Sequence, residues 1–103
     1  MTITLGSWIK LLEKAEQSKV IRFALKDLHS FRGEYGHLAI ASSYDVAVAD
    51  MLKEAKSAVG KTLPGYKGGE YVMGEHTEIH FALFGSYDEH PEWFVRFVDE
   101  LFK

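Results

Sequence analysis

The chain contains no cysteine, only two prolines, and no apolar run long enough to cross a membrane. Without cysteine it has no disulfides, no thiolate metal ligands and no cysteine nucleophile. Its net charge of -3 leaves no surplus of Lys and Arg, so we do not expect broad binding to duplex nucleic acid. The amino terminus has neither the basic nor the apolar region of a secretory signal, which predicts a cytoplasmic protein.

Length and composition indicate one α+β domain that spans residues 1–103, because 47% hydrophobic and 26% charged residues are ordinary for a globular chain of 103 residues. We expect a small antiparallel or mixed sheet of three to four strands packed against two to three helices. Hydrophobic periodicity predicts helices at Thr4 to about Ser18, with Thr4 as N-cap, and from a cap at Ser42 or Ser43 to about Val59. It predicts strands at Val20–Leu25, His37–Ser42, Tyr71–Met73 and, centrally, Thr77–Phe84.

Two parts of the chain are less regular. Residues 26–36 are predicted to connect the first two strands, which form a hairpin with a long loop. The segment 91–102 has the composition of a strand and the periodicity of a helix, and Pro91 at a first helical position favours the helix.

Glycine is concentrated between Gly60 and Gly74, where five of the nine glycines lie. Gly60 is expected to end the second helix as its C′ residue. Gly60-Lys61-Thr62 is not a nucleotide-hydrolysing phosphate loop, because Ala55 stands where that motif needs a glycine and because the tripeptide follows a helix.

The stretch from Gly65 to Tyr71 is the most informative part of this segment. Closely spaced glycines let the backbone approach a ligand and direct several N–H groups at one anion. Lys67 adds positive charge, and Tyr66 or Tyr71 offers a ring on which a base can stack. The alternative is a glycine-rich turn whose tyrosines pack on the sheet.

A second candidate segment lies within residues 26–36. Arg32 can form bidentate pairs with phosphate or carboxylate, and Tyr35 follows it closely; the alternative is a solvated loop in which Arg32 pairs with Glu34 or Asp27. If the two segments converge, they form an anion pocket with aromatic walls. The predicted ligand-binding residues are Arg32, Tyr35, Tyr66, Lys67, Gly68, Gly69 and Tyr71.

The histidines do not predict a metal site or a catalytic unit. His76 and His80 would lie about 13 Å apart along one strand, too far to share an ion. His37 and His90 have no acidic residue at a spacing typical of a catalytic unit, which favours surface or core roles. We therefore predict no metal, no cofactor and no catalytic residue.

Three segments resemble a group of small tailed-bacteriophage proteins. They are residues 4–9, the run HSFRGEY at 29–35 followed by Leu38-Ala39, and GKTLPGYKGGEYVM at 60–73. The resemblance covers most of the chain through Gly85 and implies an origin more firmly than a function. In that group the carboxyl-terminal part is another strand, whereas residues 91–103 here also suit a helix.

The resemblance implies an accessory protein made in the cytoplasm of an infected bacterium. Small phage proteins of this size commonly counter host immunity, and one mode is to sequester a nucleotide-derived signal in pockets shared between subunits. We therefore predict a non-catalytic protein that binds a nucleotide-like small molecule. The alternatives are an inhibitor that binds a host protein through acidic residues, and a small phosphodiesterase that uses His29, His76 or His80.

The aromatic-rich carboxyl-terminal segment bears on assembly. It contains Trp93, Phe94, Phe97 and Phe102, more apolar surface than one element readily buries, which predicts a homo-oligomer. The alternative is that these side chains complete the core.

Overall fold

A computed structural model describes residues 3–30, 36–64, 69–82 and 91–103. The described residues form three helices and six strands, which confirms the α+β class. In chain order these are β1 Ile3–Thr4, α1 Leu5–Glu13, β2 Val20–Ser30, β3 Leu38–Ala47, α2 Val48–Ala58, β4 Thr62–Pro64, β5 Glu70–Val72, β6 Glu78–Ala82 and α3 Pro91–Leu101.

The main sheet has the strand order β1-β6-β3-β2 and is mixed. β2 and β3 pair antiparallel, as the predicted hairpin requires, whereas β3 and β6 run parallel with Leu38 opposite Ile79. β6 lies between β1 and β3, which confirms its predicted central place. β4 and β5 form a separate two-stranded sheet.

The first helix begins as its sequence predicts. The Thr4 hydroxyl accepts a hydrogen bond from the backbone N–H of Ser7, and the Ser7 hydroxyl lies 3.1 Å from the Thr4 backbone nitrogen, which completes a capping box. The helix ends at Glu13 rather than near Ser18. Gln17 explains the early end, because its side-chain amide donates to the carbonyl oxygens of Leu12 and Ala15.

The hairpin strands are longer than predicted, and three expectations are corrected. β2 continues to Ser30, so the proposed connection over residues 26–36 is strand in its first part. Ser42 and Ser43 do not cap α2; they pair within the hairpin, opposite Leu25 and Ala24. The helix starts at Val48, where no side chain caps it, because the backbone N–H groups of residues 48 and 49 donate to carbonyls of the preceding 17–19 turn.

Gly60 ends the second helix as predicted, with a positive φ of 80° that favours glycine. Its N–H donates to the carbonyl of Met73, and the N–H of Met73 donates to the carbonyl of Lys61. These two bonds join the end of α2 to the chain that leaves β5.

The third helix covers Pro91–Leu101, so helix rather than strand is confirmed for this segment. Phe97 is fully buried and its ring centroid lies 5.1 Å from that of Trp8 on α1. Trp93 is also buried. Phe97 and Trp93 therefore complete the core, which was the alternative to a role in oligomerisation. Phe102 is half-exposed. No helix within the described ranges is long and apolar enough to cross a membrane.

Candidate functional site

The described residues include two of the seven predicted ligand-binding residues, Gly69 and Tyr71. The other five lie outside the described residues: Arg32, Tyr35, Tyr66, Lys67 and Gly68. The structure nevertheless fixes both ends of the two segments from which these residues come, so it shows where each segment leaves and rejoins the fold.

The β4–β5 hairpin frames the glycine-rich segment. Thr62, Leu63 and Pro64 pair with Val72, Tyr71 and Glu70. Sequence reasoning predicted a strand near Tyr71 but missed its partner β4, because three residues that end in proline show no periodicity. Residues 65–69 therefore connect two antiparallel strands, and Gly69 has a positive φ of 83°.

Tyr71 stands where the two predicted segments approach each other. A Cβ atom placed on Gly36 would lie 3.8 Å from Cδ1 of Tyr71, which is van der Waals distance. A Cβ atom on Gly69 would lie 3.8 Å from Cε2 on the other edge of the same ring. The structure thus brings the last residue of segment 26–36 and the 60–74 segment to opposite edges of one half-buried tyrosine.

The described residues also contain a hydrogen-bonded histidine pair. Nδ1 of His37 is 2.9 Å from Nε2 of His80, and the ring planes differ by 14°. The ring centroids are 5.2 Å apart. This separation equals the N···N distance plus the distance from centroid to nitrogen in each ring. The two nitrogens therefore lie on the line between the centroids, and the rings meet edge to edge in an N–H···N hydrogen bond.

Glu78 extends this pair into a chain of three groups. Its Oε2 lies 3.1 Å from Nε2 of His37, and the two side chains are 46% and 29% exposed. A carboxylate only accepts, so Nε2 of His37 carries the proton and Nδ1 of His37 accepts from Nε2–H of His80. We refer to Glu78, His37 and His80 as the histidine chain.

Strand register explains how the histidine chain is assembled. The fully buried Leu38 and Ile79 pair across β3 and β6, so the residues that flank them project to the opposite side of the sheet. Those residues are His37 before Leu38, and Glu78 and His80 around Ile79. Sequence reasoning missed the site because His37 and His80 are 43 residues apart and only the parallel register brings them together.

The surroundings favour a neutral His80 in the free protein. Burial lowers the pKa of His80, and positive charge on His37 and on the amino terminus lowers it further, whereas Glu78 opposes these effects. A second proton on the pair would place two positive rings at hydrogen-bond distance.

The same geometry suits a proton better than a metal ion. A tetrahedral Zn²⁺ needs lone pairs that converge on it, with about 2.0–2.1 Å from metal to each nitrogen. Here the two nitrogens point straight at each other and leave only 2.9 Å between them. Within residues 3–30, 36–64, 69–82 and 91–103, no three or more His, Asp or Glu side chains are placed so that they could hold one metal ion.

A separate groove of about 100 Å³ lies between α2, β2 and the β4–β5 hairpin. Its lining is apolar apart from Glu54, Ser57 and Lys61. Sites for drug-sized ligands occupy about 300–1,000 Å³, so this groove is too small for a nucleotide. The pKa of Glu54, on its wall, is raised by burial.

Comparisons of the chain with protein-family models, with curated protein sequences and with solved structures find no significant match.

Proposed function

We propose that this protein binds a phosphorylated, nucleotide-like small molecule and holds it without transforming it. The approach of Gly36 to the Tyr71 ring supports this proposal most directly. This approach brings together two segments that the sequence indicated independently. Segment 26–36 was indicated by Arg32 and Tyr35, and segment 60–74 by its glycines and Lys67.

Each residue type has a defined part in this proposal. Tyr71 provides a ring for stacking on a base, an interaction worth about 1–3 kcal/mol per base. Glycine N–H groups near Gly69 and the cations Arg32 and Lys67 bind phosphate oxygens, and Tyr35 and Tyr66 add aromatic walls. None of these roles needs a nucleophile.

The biological setting that we propose follows from the resemblance to phage proteins. A phage that makes such a protein in the cytoplasm of its bacterial host would remove a nucleotide-derived defence signal from solution. We propose a homo-oligomer as the working form, because the mode of sequestration that the resemblance implies uses pockets shared between subunits.

Isothermal titration against cyclic dinucleotides and ADP-ribose derivatives tests the proposal. We expect saturable binding by the wild type and a loss of at least tenfold in affinity for Arg32→Ala and Lys67→Ala. Lys53→Ala is the matched control, since it removes one exposed charge from α2 and should bind like the wild type. Absence of heat with every compound, at protein concentrations suited to micromolar affinity, would overturn the proposal.

The histidine chain favours a second candidate, a small phosphodiesterase. A carboxylate that orients one histidine, which in turn bonds to another, is an arrangement that can move a proton to or from a reacting oxygen. Incubation with the same compounds separates the two candidates. A binding protein returns its ligand intact after denaturation, whereas an enzyme returns hydrolysed product that His80→Gln abolishes.

A further inference from the structure

We infer that a surface of the β2–β3 hairpin and α3 binds single-stranded nucleic acid, with one base stacked on Tyr44 and phosphates paired with Arg22 and Arg96. This inference goes beyond the proposed function and does not rest on it. Tyr44 lies six residues after Leu38 on β3, about 20 Å away at the rise of a strand, so the surface is distinct from the segment that ends at Gly36.

Three aromatic side chains from three elements form the base of this surface. Phe23 on β2 and Tyr44 on β3 pair across the hairpin, so their rings lie on the same side of the sheet, with centroids 6.3 Å apart. Trp93 on α3 is buried and packs edge-on against both rings, at 5.4 Å and 5.7 Å between centroids. Tyr44 is nevertheless 58% exposed. The cluster therefore holds one exposed ring in a fixed position, as stacking of a base requires.

Two arginines flank the same cluster. The guanidinium carbons of Arg22 on β2 and Arg96 on α3 lie 5.6 Å and 5.5 Å from the centroid of the Phe23 ring, within the range of a cation–π interaction. Because both distances end at one ring centre, the two guanidinium groups are no more than about 11 Å apart. At about 3.4 Å per nucleotide, a stretch of roughly four nucleotides spans this distance. One short segment of strand can therefore contact both charges.

The charges of both arginines are available to a ligand. Both side chains are exposed, and among the described residues neither arginine forms an ion pair with a carboxylate. The carboxylate of Glu100 accepts from the backbone N–H groups of Arg22 and Phe23 rather than from a guanidinium. Arginine matches phosphate oxygens with two parallel N–H donors. Contact with the Phe23 ring already restricts both side chains, so binding orders them at a smaller entropic cost.

The exposed ring selects a single strand over other anionic partners. Stacking on Tyr44 needs a base whose face is accessible, which an unpaired strand offers and a duplex does not. The net charge of -3 provides no broad positive field for a duplex, so binding depends on these local contacts. An acidic protein segment would pair with the arginines but has no base to stack on the tyrosine.

Fluorescence anisotropy of the intact protein with a labelled oligonucleotide of about ten thymidines tests the inference. Two phosphate contacts predict a slope of about -1.4 for log affinity against log salt concentration, because each contact on a single strand contributes about -0.7. Arg22→Gln and Arg96→Gln should each reduce the slope to about -0.7. Lys53→Gln is the matched control, since it removes an exposed charge from α2 and should keep the wild-type slope. The same sequence annealed to its complement should bind at least tenfold more weakly.

Variants of Tyr44 separate stacking from charge. Tyr44→Leu keeps apolar contact with Phe23 and Trp93 but offers no ring, and it should weaken binding about 5- to 150-fold with the salt slope unchanged. Tyr44→Phe keeps the ring and should bind like the wild type. Equal affinities of these two variants, or a salt slope that neither arginine variant changes, would overturn the inference. Equal binding of the duplex, or tighter binding of polyglutamate than of the oligonucleotide, would also overturn it.

The outcome for the proposed function is separate. Arg32→Ala and Lys67→Ala should leave oligonucleotide binding unchanged, and Tyr44→Leu should leave the calorimetric titration with cyclic dinucleotides and ADP-ribose derivatives unchanged. Loss of oligonucleotide binding in Arg32→Ala or Lys67→Ala would assign the strand to the other site and overturn this inference. Thymidine monophosphate that displaces the oligonucleotide at equal concentration would show that the surface takes a free nucleotide instead of a strand, which overturns it too.

Discussion

The Glu54 carboxylate on α2 accepts a hydrogen bond from the backbone N–H of Asp27, at 3.1 Å, where β2 bulges. It also accepts from the N–H of Leu28, and Glu100 of α3 accepts from those of Arg22 and Phe23 at the other end of the strand. β2 is an edge strand of the sheet, so its N–H groups would otherwise be open to pairing with another chain. Two helices thus supply one carboxylate each to cover the exposed edge.

Replacement of Glu54 should distinguish loss of charge from loss of an acceptor. Glu54→Ala leaves two N–H groups without their partner and should lower the free energy of unfolding by about 1–3 kcal/mol. Glu54→Gln should cost less than Glu54→Ala, because its amide oxygen still accepts and no charge is desolvated. Urea denaturation measures both, with Glu13→Gln as a control that breaks only an exposed ion pair to Lys56. Equal losses for Ala and Gln would contradict this account.

The pH dependence of stability should carry the signature of Glu54. Burial raises its folded-state pKa above the usual 4.5, so the folded protein binds this proton more tightly than the unfolded chain does. The resulting stabilisation is fully present below pH 4.5 and is lost as pH rises through the raised value. We therefore expect the wild type to gain stability relative to Glu54→Gln as pH falls in this window. A difference between the two proteins that does not vary with pH would refute the assignment.

Close packing at Gly6 should forbid a side chain in the first turn of α1. A Cβ atom there would lie 3.0 Å from the carbonyl oxygen of Glu75, to which the N–H of Gly6 donates at 2.8 Å. Gly6→Ala should therefore lower stability by about 1–3 kcal/mol, despite the higher helix propensity of alanine. Gly74→Ala is the control, because a Cβ atom at that position meets nothing within 4 Å. A Gly6→Ala protein with wild-type thermal stability would contradict the close contact.

The two glycines with positive φ should separate stability from binding. Gly60→Ala and Gly69→Ala both force alanine into the left-handed region and should each cost about 1–2 kcal/mol. Of these two glycines, only Gly69 would bring an added Cβ atom to the Tyr71 ring, at 3.8 Å, whereas a Cβ atom on Gly60 meets nothing within 4 Å. We therefore expect Gly69→Ala alone to weaken ligand binding in calorimetry. Equal loss of affinity in both variants would show that backbone strain, not the site, is responsible.

Self-association should depend on the outward side of α3. Val95 on α3 is 63% exposed, and Phe102, directly after the helix, is 49% exposed. The N–H of Phe102 still donates to the carbonyl of Val98, so its backbone continues the last turn of the helix. If this face joins the subunits of the proposed homo-oligomer, Phe102→Ser should shift the mass measured by light scattering toward the monomer and leave the fold intact. A wild-type protein that is monomeric at high concentration would rule out the oligomer.

Helix ends were predicted correctly where the signal lies within a few residues of the end itself. Thr4 and Ser7 cap α1, and Gly60 ends α2, because both signals operate within a few residues. The start of α2 was mispredicted because backbone carbonyls from the 17–19 turn replace a serine cap. The polar half of β2 was mispredicted because Glu54, 27 residues away from Asp27, supports the bulge that interrupts its alternation.

The residues of the candidate site also fall into those with a local sequence signal and those that only the fold brings together. Gly69 and Tyr71 were proposed as ligand-binding residues from composition, because glycines and aromatic residues are visible in a short window, and that assignment stays a prediction. The histidine chain was not found, since it exists only through the parallel pairing of β3 with β6. His76 lies in the turn before β6, so the strand that was expected to hold it with His80 begins two residues later, at Glu78.

The central claim is that the segments ending at Gly36 and at Tyr71 form one ligand site. Titration of ¹⁵N-labelled protein with cyclic dinucleotides and ADP-ribose, followed by amide NMR, tests it most directly. The account predicts that the amide signals of Gly36, Gly69 and Tyr71 shift together along a single binding isotherm for at least one compound. Shifts confined to one of the two segments, or no shift with any compound, would contradict it.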